Sequence, residues 1–263
     1  ITLGQYFPGN TPIHRLDPRT KLIMVIVYIV ALFSAEWVVS YAIVLAALTA
    51  VVLISRIEPK VILRSIKPLL FIIALTGLLN LFYTQGTPLV SFWIFTISRE
   101  GVFSAVFMIL RISMLITGTF MLTYTTSPIA LTDGLERLLN PLKRIKVPVH
   151  ELSMMMCIAL RFIPTLIEET DKIINAQKAR GADFETGNLL QRAKALVPIL
   201  VPLFISSFRR ADELAVAMEC RCYHGGEGRT RLKELHYRPA DVAVLAGGLV
   251  FMAGIIVLGA FGL

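Results

Sequence analysis

Residues 22–54 form a run of apolar and uncharged side chains that is broken by a single charged residue, Glu36. One helix of this length would measure about 50 Å, whereas the hydrocarbon core of a bilayer is about 30 Å thick. The run therefore predicts two membrane-spanning helices, at about residues 20–35 and 37–55, with a hinge around Glu36. Further apolar runs at about 68–83, 101–124 and 239–263 predict three more. The expected fold is an all-α, polytopic membrane protein with five spans.

The composition agrees with this fold class, since 56% of the 263 residues are hydrophobic and only 17% are charged. The formal net charge is +8, and basic residues in a membrane protein collect on the cytoplasmic side. Basic segments precede the first predicted span and follow the second, and they recur at residues 142–146 and 229–233. They predict a cytoplasmic N-terminus and a C-terminus on the outer side of a prokaryotic plasma membrane. No basic stretch is interleaved with aromatic residues, so no nucleic-acid partner is expected.

Two segments between the predicted spans carry further expectations. Residues 56–67 contain four basic residues and Pro59, and they predict a basic loop inside the cell. In residues 83–100, the side chains of residues 89–97 alternate in the way typical of strands, so this segment predicts an outer loop with a short hairpin. Arg111 lies within the fourth predicted span. An ionisable residue there either has a functional role facing protein or water, or lies near an end and extends to the interface.

Residues 127–238 have a different character and predict a cytoplasmic coupling domain between the N-terminal membrane domain and the last span. Ser127 followed by Pro128 is typical of a helix start. Two long helices follow, at about 148–181 and 189–223. The second half of the first helix is amphipathic, and Pro164 lies before that half. Pro198 and Pro202 predict kinks in the second helix.

The most specific feature is a short pattern at the end of each long helix, an arginine between two small residues with an alanine four residues earlier. The six motif residues are Ala179, Arg180, Gly181, Cys220, Arg221 and Cys222, and the two alanines are Ala176 and Ala217. A single arginine would compensate the dipole at a helix C-terminus. Small neighbours also allow a guanidinium to enter a groove and pair with carboxylates or carbonyls. The repetition favours a docking role.

Motifs for catalysis and for tightly bound cofactors are missing. The sequence has no Walker A loop, no His-Glu-x-x-His and no Gly-x-Ser-x-Gly, so the chain is not expected to bind ATP or to be an enzyme. Cys220, Cys222 and His224 resemble part of a metal site, but a structural zinc site requires four ligands and a fourth is not apparent. Three cysteines do not predict a disulfide framework. No cofactor is expected.

Several segments together resemble the transmembrane (T) component of energy-coupling factor (ECF) transporters, the EcfT/CbiQ-like family. They are Arg15-Leu16-Asp17-Pro18-Arg19-Thr20-Lys21 before the first span, Val147-Pro148, Ala159-Leu160-Arg161-Phe162-Ile163-Pro164, and Ala176 to Gly181. The resemblance covers essentially the whole chain and is strongest from Ser127 to Tyr223. The first Ala-Arg-Gly motif matches literally. The second keeps Arg221 but has cysteines where alanine and glycine are usual.

The resemblance implies a scaffold that couples ATP hydrolysis elsewhere to import. T components dock two cytoplasmic ABC-type ATPase subunits through the two arginine motifs and hold a membrane-embedded, substrate-binding S component against the long helices. The complex imports a vitamin or a transition metal. The residues expected to face the S component are Met154, Met155, Met156, Pro164, Pro198, Pro202 and Phe204. Arg111 and Arg161 are further candidates without an assigned role.

Two other functions fit a polytopic chain. A lipid-modifying membrane enzyme would need clustered acids or a metal facing the bilayer, and the dense acids Glu168, Glu169 and Asp171 alternate with basic residues as on a solvated face. A stand-alone secondary transporter usually shows matched repeats with broken helices. Four predicted spans before the long helices and one after them do not form such repeats.

Overall fold

The computed structural model describes residues 6–35, 37–83, 87–92, 95–184, 188–225 and 234–261. Two compact units divide the chain, and the boundary falls within the sixth helix. One unit holds residues 2–135 and 235–263, and the other holds residues 136–234 together with residue 1. The fold class is confirmed, because most described residues are helical.

The first unit contains most of the predicted spans. Its helices are α1 (Pro18–Ser34), α2 (Val38–Ser55), α3 (Pro59–Ile66), α4 (Leu70–Tyr83), α5 (Arg99–Thr125) and α9 (Pro239–Phe261), with the start of α6 (Pro128–Leu139). Strands β1 (Pro88–Phe92) and β2 (Phe95–Ser98) pair antiparallel, which confirms the predicted hairpin. The predicted hinge residue Glu36 lies outside the described residues, but the helix break on either side of it is present. The basic segment at 229–233 also lies outside them.

The second unit contains the end of α6 and the two long helices, α7 (Val149–Ala179) and α8 (Leu189–Cys220). Both helices end two or three residues earlier than predicted, because the last residues form caps instead of helical turns. The basic segment before α7 is a short 3₁₀ helix, Asn140–Ile145, and not an extended linker. Pro164 lies inside α7, and Pro198 and Pro202 lie inside α8.

Six helical segments among the described residues are long and apolar enough to cross a bilayer. They are Val38–Ser55, Pro59–Tyr83, Arg99–Thr125, Val149–Ala179, Leu190–Cys220 and Pro239–Ala260. The number differs from the five predicted spans for two reasons. Helices α7 and α8 qualify because their apolar halves are long, and α1 is absent because it has only 17 residues.

The prediction of a basic loop at residues 56–67 is wrong, because most of this segment is helix α3. Pro59 starts the helix, where its missing N–H removes no hydrogen bond. Ile62 is buried against α5, whereas Lys60 and Arg64 are exposed. The three-to-four-residue spacing of these side chains therefore gives an amphipathic helix that leads directly towards α4.

Two predicted helix starts are confirmed. The Asp17 carboxylate accepts a hydrogen bond from the backbone N–H of Arg19 at 2.9 Å, with Pro18 in the first turn. The Ser127 hydroxyl accepts from the N–H of Ala130 at 3.3 Å. Both side chains satisfy an amide that has no partner within its own helix.

A buried polar cluster joins the start of α1 to the end of α5 and the start of α9. The Lys21 ammonium donates to the carbonyl oxygen of Thr125 at 2.8 Å. Asp241, only 1% exposed, accepts from the N–H groups of Asp17 and Arg238. Burial alone would raise the pKa of Asp17, but hydrogen bonds from the side chain and backbone of Arg19 outweigh it and hold that pKa below its usual value. The family resemblance had marked residues 15–21, but it did not indicate that Lys21 and Asp17 would contact Thr125 and Asp241.

Arg111 has a structural role that neither sequence interpretation described. Its guanidinium lies midway along α5 and donates to the carbonyl oxygen of Ala35, the C-cap residue of α1, at 3.1 Å. The ring of Phe33 lies 5.8 Å from the guanidinium carbon and that of Tyr41 5.6 Å. The positive charge therefore stabilises a helix C-terminus, where free carbonyl groups concentrate negative potential.

Candidate functional site

The two long helices pack against each other in opposite directions. The side chain of Gln177 in α7 reaches the carbonyl of Pro198 near the start of α8, and the Tyr223 hydroxyl donates to the Met154 sulfur at 3.0 Å. As the residue number increases along α7, the residues of α8 that it contacts have decreasing numbers. The pair is therefore an antiparallel hairpin whose two motif arginines lie at opposite ends.

The separation of the two ends follows from this register. Tyr223, two residues after Arg221, contacts Met154, and Arg180 lies 26 residues further along α7. Because Arg221 lies at the level of residue 156 in this antiparallel register, 24 residues separate the two arginines along the hairpin, and at 1.5 Å per residue they are about 35 Å apart. This distance is too large for one small binding pocket, and it suits two separate contact points.

The two helix ends have the same backbone geometry. At the end of α7, the N–H of Gly181 donates to the carbonyl of Lys178 at 3.0 Å, and the N–H of Ala182 donates to that of Gln177 at 3.0 Å. This pair of bonds is a Schellman motif, in which the residue after the cap has a left-handed conformation. Gly181 has a φ of 87°.

The end of α8 repeats this motif with a residue that is not glycine. The N–H of Cys222 donates to the carbonyl of Glu219 at 2.8 Å, and the N–H of Tyr223 donates to that of Met218 at 3.0 Å. Cys222 has a φ of 55°, which is uncommon outside glycine, asparagine and aspartate. The unusual cysteine therefore keeps the glycine conformation at a cost in strain, and Arg180 and Arg221 occupy equivalent cap positions.

All six motif residues are exposed, and so are Ala176 and Ala217. A Cβ atom built on Gly181 would meet no other atom within 4 Å. Each guanidinium thus projects from a bare helix end with only small side chains beside it. This arrangement is suited to insertion into a groove of another protein, with the fork of N–H donors available for oxygen acceptors.

A polar contact that the sequence did not indicate links the middles of the two helices. The Glu169 carboxylate accepts from the Arg210 guanidinium at 3.0 Å and from the Ser206 hydroxyl. The guanidinium also lies over the ring of Phe162, 5.9 Å from its centroid. The charged side chains on this face were interpreted as solvated, but Glu169 and Arg210 are both largely covered, at 24% and 32% exposed.

The prolines of α8 explain one further contact. Pro202 has no N–H, so the carbonyl of Pro198 has no helical partner four residues later. The Gln177 side chain donates to that carbonyl at 3.4 Å. The carbonyl group that Pro202 leaves without a helical partner thus accepts a hydrogen bond from the neighbouring helix.

The residues predicted to face an S component divide into two groups. Met155, Met156, Pro164, Pro202 and Phe204 are exposed, with Phe204 at 66%. Met154 is half-buried and Pro198 is exposed, and both also contact the neighbouring long helix. Phe204 belongs to an exposed apolar stripe along α8 whose other members are Val197, Leu200, Val201, Ile205 and Phe208. Arg161 is exposed on α7.

The described residues contain no group of three His, Cys, Asp or Glu side chains placed to hold a metal ion. Cys220 and Cys222 are free thiols on the exposed end of α8.

Comparison with known proteins identifies the family. A family model described as cobalt transport protein, CbiQ, matches residues 9–232. The chain is 55% identical to the energy-coupling factor transporter transmembrane protein EcfT of Thermosediminibacter oceani, with 97% of both chains covered. It is 51% identical to the EcfT of Ruminiclostridium cellulolyticum, covering 98% of this chain and 97% of that one. It is 46% identical to that of Bacillus subtilis, covering 96% of both. The chain therefore belongs to the EcfT/CbiQ-like family and is a transmembrane component of an energy-coupling factor transporter.

Proposed function

We propose that this chain transmits ATP-driven motion from two cytoplasmic ABC-type ATPase subunits to a membrane-embedded S component, for uptake of a vitamin or a transition metal. The observation that carries the proposal is the pair of equivalent arginine caps at opposite ends of the α7–α8 hairpin. Two equivalent contact points about 35 Å apart match a partner with two related subunits.

Each arginine docks into one ATPase subunit. Arg180 and Arg221 are presented by the same Schellman geometry, so each offers its guanidinium in the same orientation relative to its helix. ATP binding closes the two ATPase subunits on each other, and the helix ends move with them. Because a helix is stiff along its axis, a displacement at the cap reaches the far end of the same helix.

The S component contacts the apolar stripe of α8 that contains Phe204, together with Met155 and Met156 of α7. These side chains are exposed in the chain alone, and a large exposed apolar surface marks a contact with lipid or protein. Methionine side chains adapt to different surfaces, which suits exchangeable partners. The substrate is bound by the S component, and this chain hydrolyses no ATP.

The proposal places residues 127–238 at the cytoplasmic side and the other helices in the membrane. The N-terminus is cytoplasmic and the C-terminus is outside. The clusters of basic residues before α1, on α3 and before α7 support this orientation.

The test is substitution of the two motif arginines, alone and together. Alanine at position 180 or 221 removes the guanidinium but keeps the backbone bonds of the cap. Each single change is expected to reduce co-purification of the ATPase subunits and ATP-dependent uptake by about tenfold, the loss for one charge-assisted contact. The double variant is expected to lose both.

Arg209→Ala is the matched control, because Arg209 is an exposed arginine of α8 far from either cap. It is expected to leave ATPase binding intact. Wild-type binding and uptake in the double variant would refute the proposal. Failure of any ATPase subunit to purify with the unmodified chain would point instead to a stand-alone transporter.

A further inference from the structure

The Glu169–Arg210 ion pair joins the two long helices at the same distance from each motif arginine. Glu169 lies eleven residues before Arg180, and Arg210 lies eleven residues before Arg221. Glu169 and Arg210 are 41 positions apart, and the same separation relates Asp171 to Asp212 and Ala176 to Ala217. The ion pair therefore joins two equivalent positions of the two helices.

In an antiparallel pair, equivalent positions meet only where a local two-fold axis passes through the interface. The contacts on both sides of the ion pair fit this axis. Gln177 with Pro198 lies towards one end, and Met154 with Tyr223 lies towards the other. Each motif arginine is about 16 Å along its helix from the ion pair.

The contacts at this axis are stronger than those on either side. The Glu169 carboxylate accepts from both Arg210 and Ser206 of α8, and it is the acceptor of the single ion pair between described residues of α7 and α8. Such charge-assisted hydrogen bonds are stronger than neutral ones. The flanking contacts described above are neutral ones, namely an amide–carbonyl bond of 3.4 Å and a hydroxyl–thioether bond. Movement of the helix ends breaks these weaker contacts first.

We propose that Glu169, Arg210 and Ser206 form the pivot about which α7 and α8 rotate relative to each other. They are positioning residues: they contact neither an ATPase nor the S component, and they hold the crossing point while the two ends move. The consequence for transport rests on the proposed function, whereas the pivot itself is a property of this chain. Loss of the pivot lets the helices slide, so that motion at the caps no longer reaches the apolar stripe of α8.

The pivot is tested by measuring the distance between the two arms directly. Spin labels at Asn175→Cys and Val216→Cys occupy exposed, equivalent positions, in full-length protein whose native cysteines are replaced by Cys157→Ala, Cys220→Ala and Cys222→Gly. The register and the helix rise separate these positions by about 18 Å along the hairpin, and an interhelical distance of about 10 Å brings the separation to about 20 Å. Pulsed electron paramagnetic resonance in lipid nanodiscs is expected to give a narrow distribution around this distance.

Glu169→Ala is expected to broaden this distribution, and the charge exchange Glu169→Arg with Arg210→Glu is expected to narrow it again. Glu168→Ala is the matched control, because Glu168 is an exposed acid on the same helix. An unchanged distribution in Glu169→Ala, or failure of the exchanged pair to restore it, overturns the pivot.

In the assembled transporter, Glu169→Ala is expected to keep its ATPase subunits and their ATP hydrolysis, and to lower uptake per ATP roughly fivefold, with rescue by the exchanged pair. Loss of ATPase binding in Glu169→Ala would assign the residue to the docking surface and overturn the positioning role. If the unmodified chain binds no ATPase, the proposed function fails, while the spin-label result still decides the pivot.

Discussion

The left-handed residue in each arginine cap provides a quantitative test of the site geometry. Gly181 and Cys222 occupy equivalent positions with φ values of 87° and 55°. A left-handed conformation costs a residue with a Cβ atom about 1–2 kcal/mol, and glycine avoids this cost. Exchanging the two residue types should therefore change the stability of the two caps in opposite directions.

The magnitude follows from two opposing effects. Gly181→Ala adds the left-handed cost of about 1–2 kcal/mol, but a less flexible unfolded chain returns about 0.4–1 kcal/mol. No packing effect enters, because an added Cβ atom would meet nothing within 4 Å. The net loss is about 1 kcal/mol. Cys222→Gly reverses both effects and is expected to stabilise its cap by about 1 kcal/mol.

Amide hydrogen exchange measures these local changes without unfolding the protein. In each cap, the N–H group of Ala182 or Tyr223 donates the hydrogen bond that spans five residues along the chain. Exchange at Ala182 is expected to be about fivefold faster in Gly181→Ala, and exchange at Tyr223 about fivefold slower in Cys222→Gly. Each amide serves as the control for the variant at the other cap. Changes of the same sign at both caps, or none, would refute the shared cap geometry.

Two further predictions concern the described contacts. Asp17→Asn should destabilise the protein at neutral pH, because the side chain loses its charged hydrogen bonds with Arg19. These bonds lower the folded-state pKa of Asp17, so the difference in unfolding free energy between the two proteins should persist above about pH 4 and vanish as the pH falls through that pKa. Denaturation at several pH values measures this difference. Gln177→Leu should lower the free energy of unfolding by about 1 kcal/mol in the parent chain, because the Pro198 carbonyl loses its hydrogen-bond donor. It should have almost no effect in the Pro202→Ala background, where that carbonyl regains a helical N–H. Equal losses of stability in thermal unfolding of both backgrounds would contradict the role of the freed carbonyl.

Much of the helical architecture was predictable from local patterns. The apolar runs indicated most of the long helices, and the capping residues Asp17 and Ser127 marked two helix starts. These features depend on neighbouring residues, since a cap or a helical turn involves atoms only a few positions apart. The segment 56–67 was mistaken for a loop because its basic residues were counted without the apolar face that Ile62 provides.

The candidate site was only partly predictable. The sequence indicated Arg180 and Arg221, but only the structure showed that Cys222 adopts the left-handed conformation of Gly181. It did not indicate that Glu169 pairs with Arg210, because this contact requires the direction and register of two helices. A possible signal was present, namely the equal spacing of Glu169 and Arg210 from their arginines.

What the amino-acid sequence determines here is most of the long helices, the membrane character of the chain and the two arginine ends. The tertiary structure alone decides which residues meet: Arg111 with the carbonyl of Ala35, Lys21 with that of Thr125, and Glu169 with Arg210. The physical reason is range. Backbone conformation follows from interactions over a few residues, whereas these partners lie 41 to 104 positions apart and are brought together only by packing of whole helices.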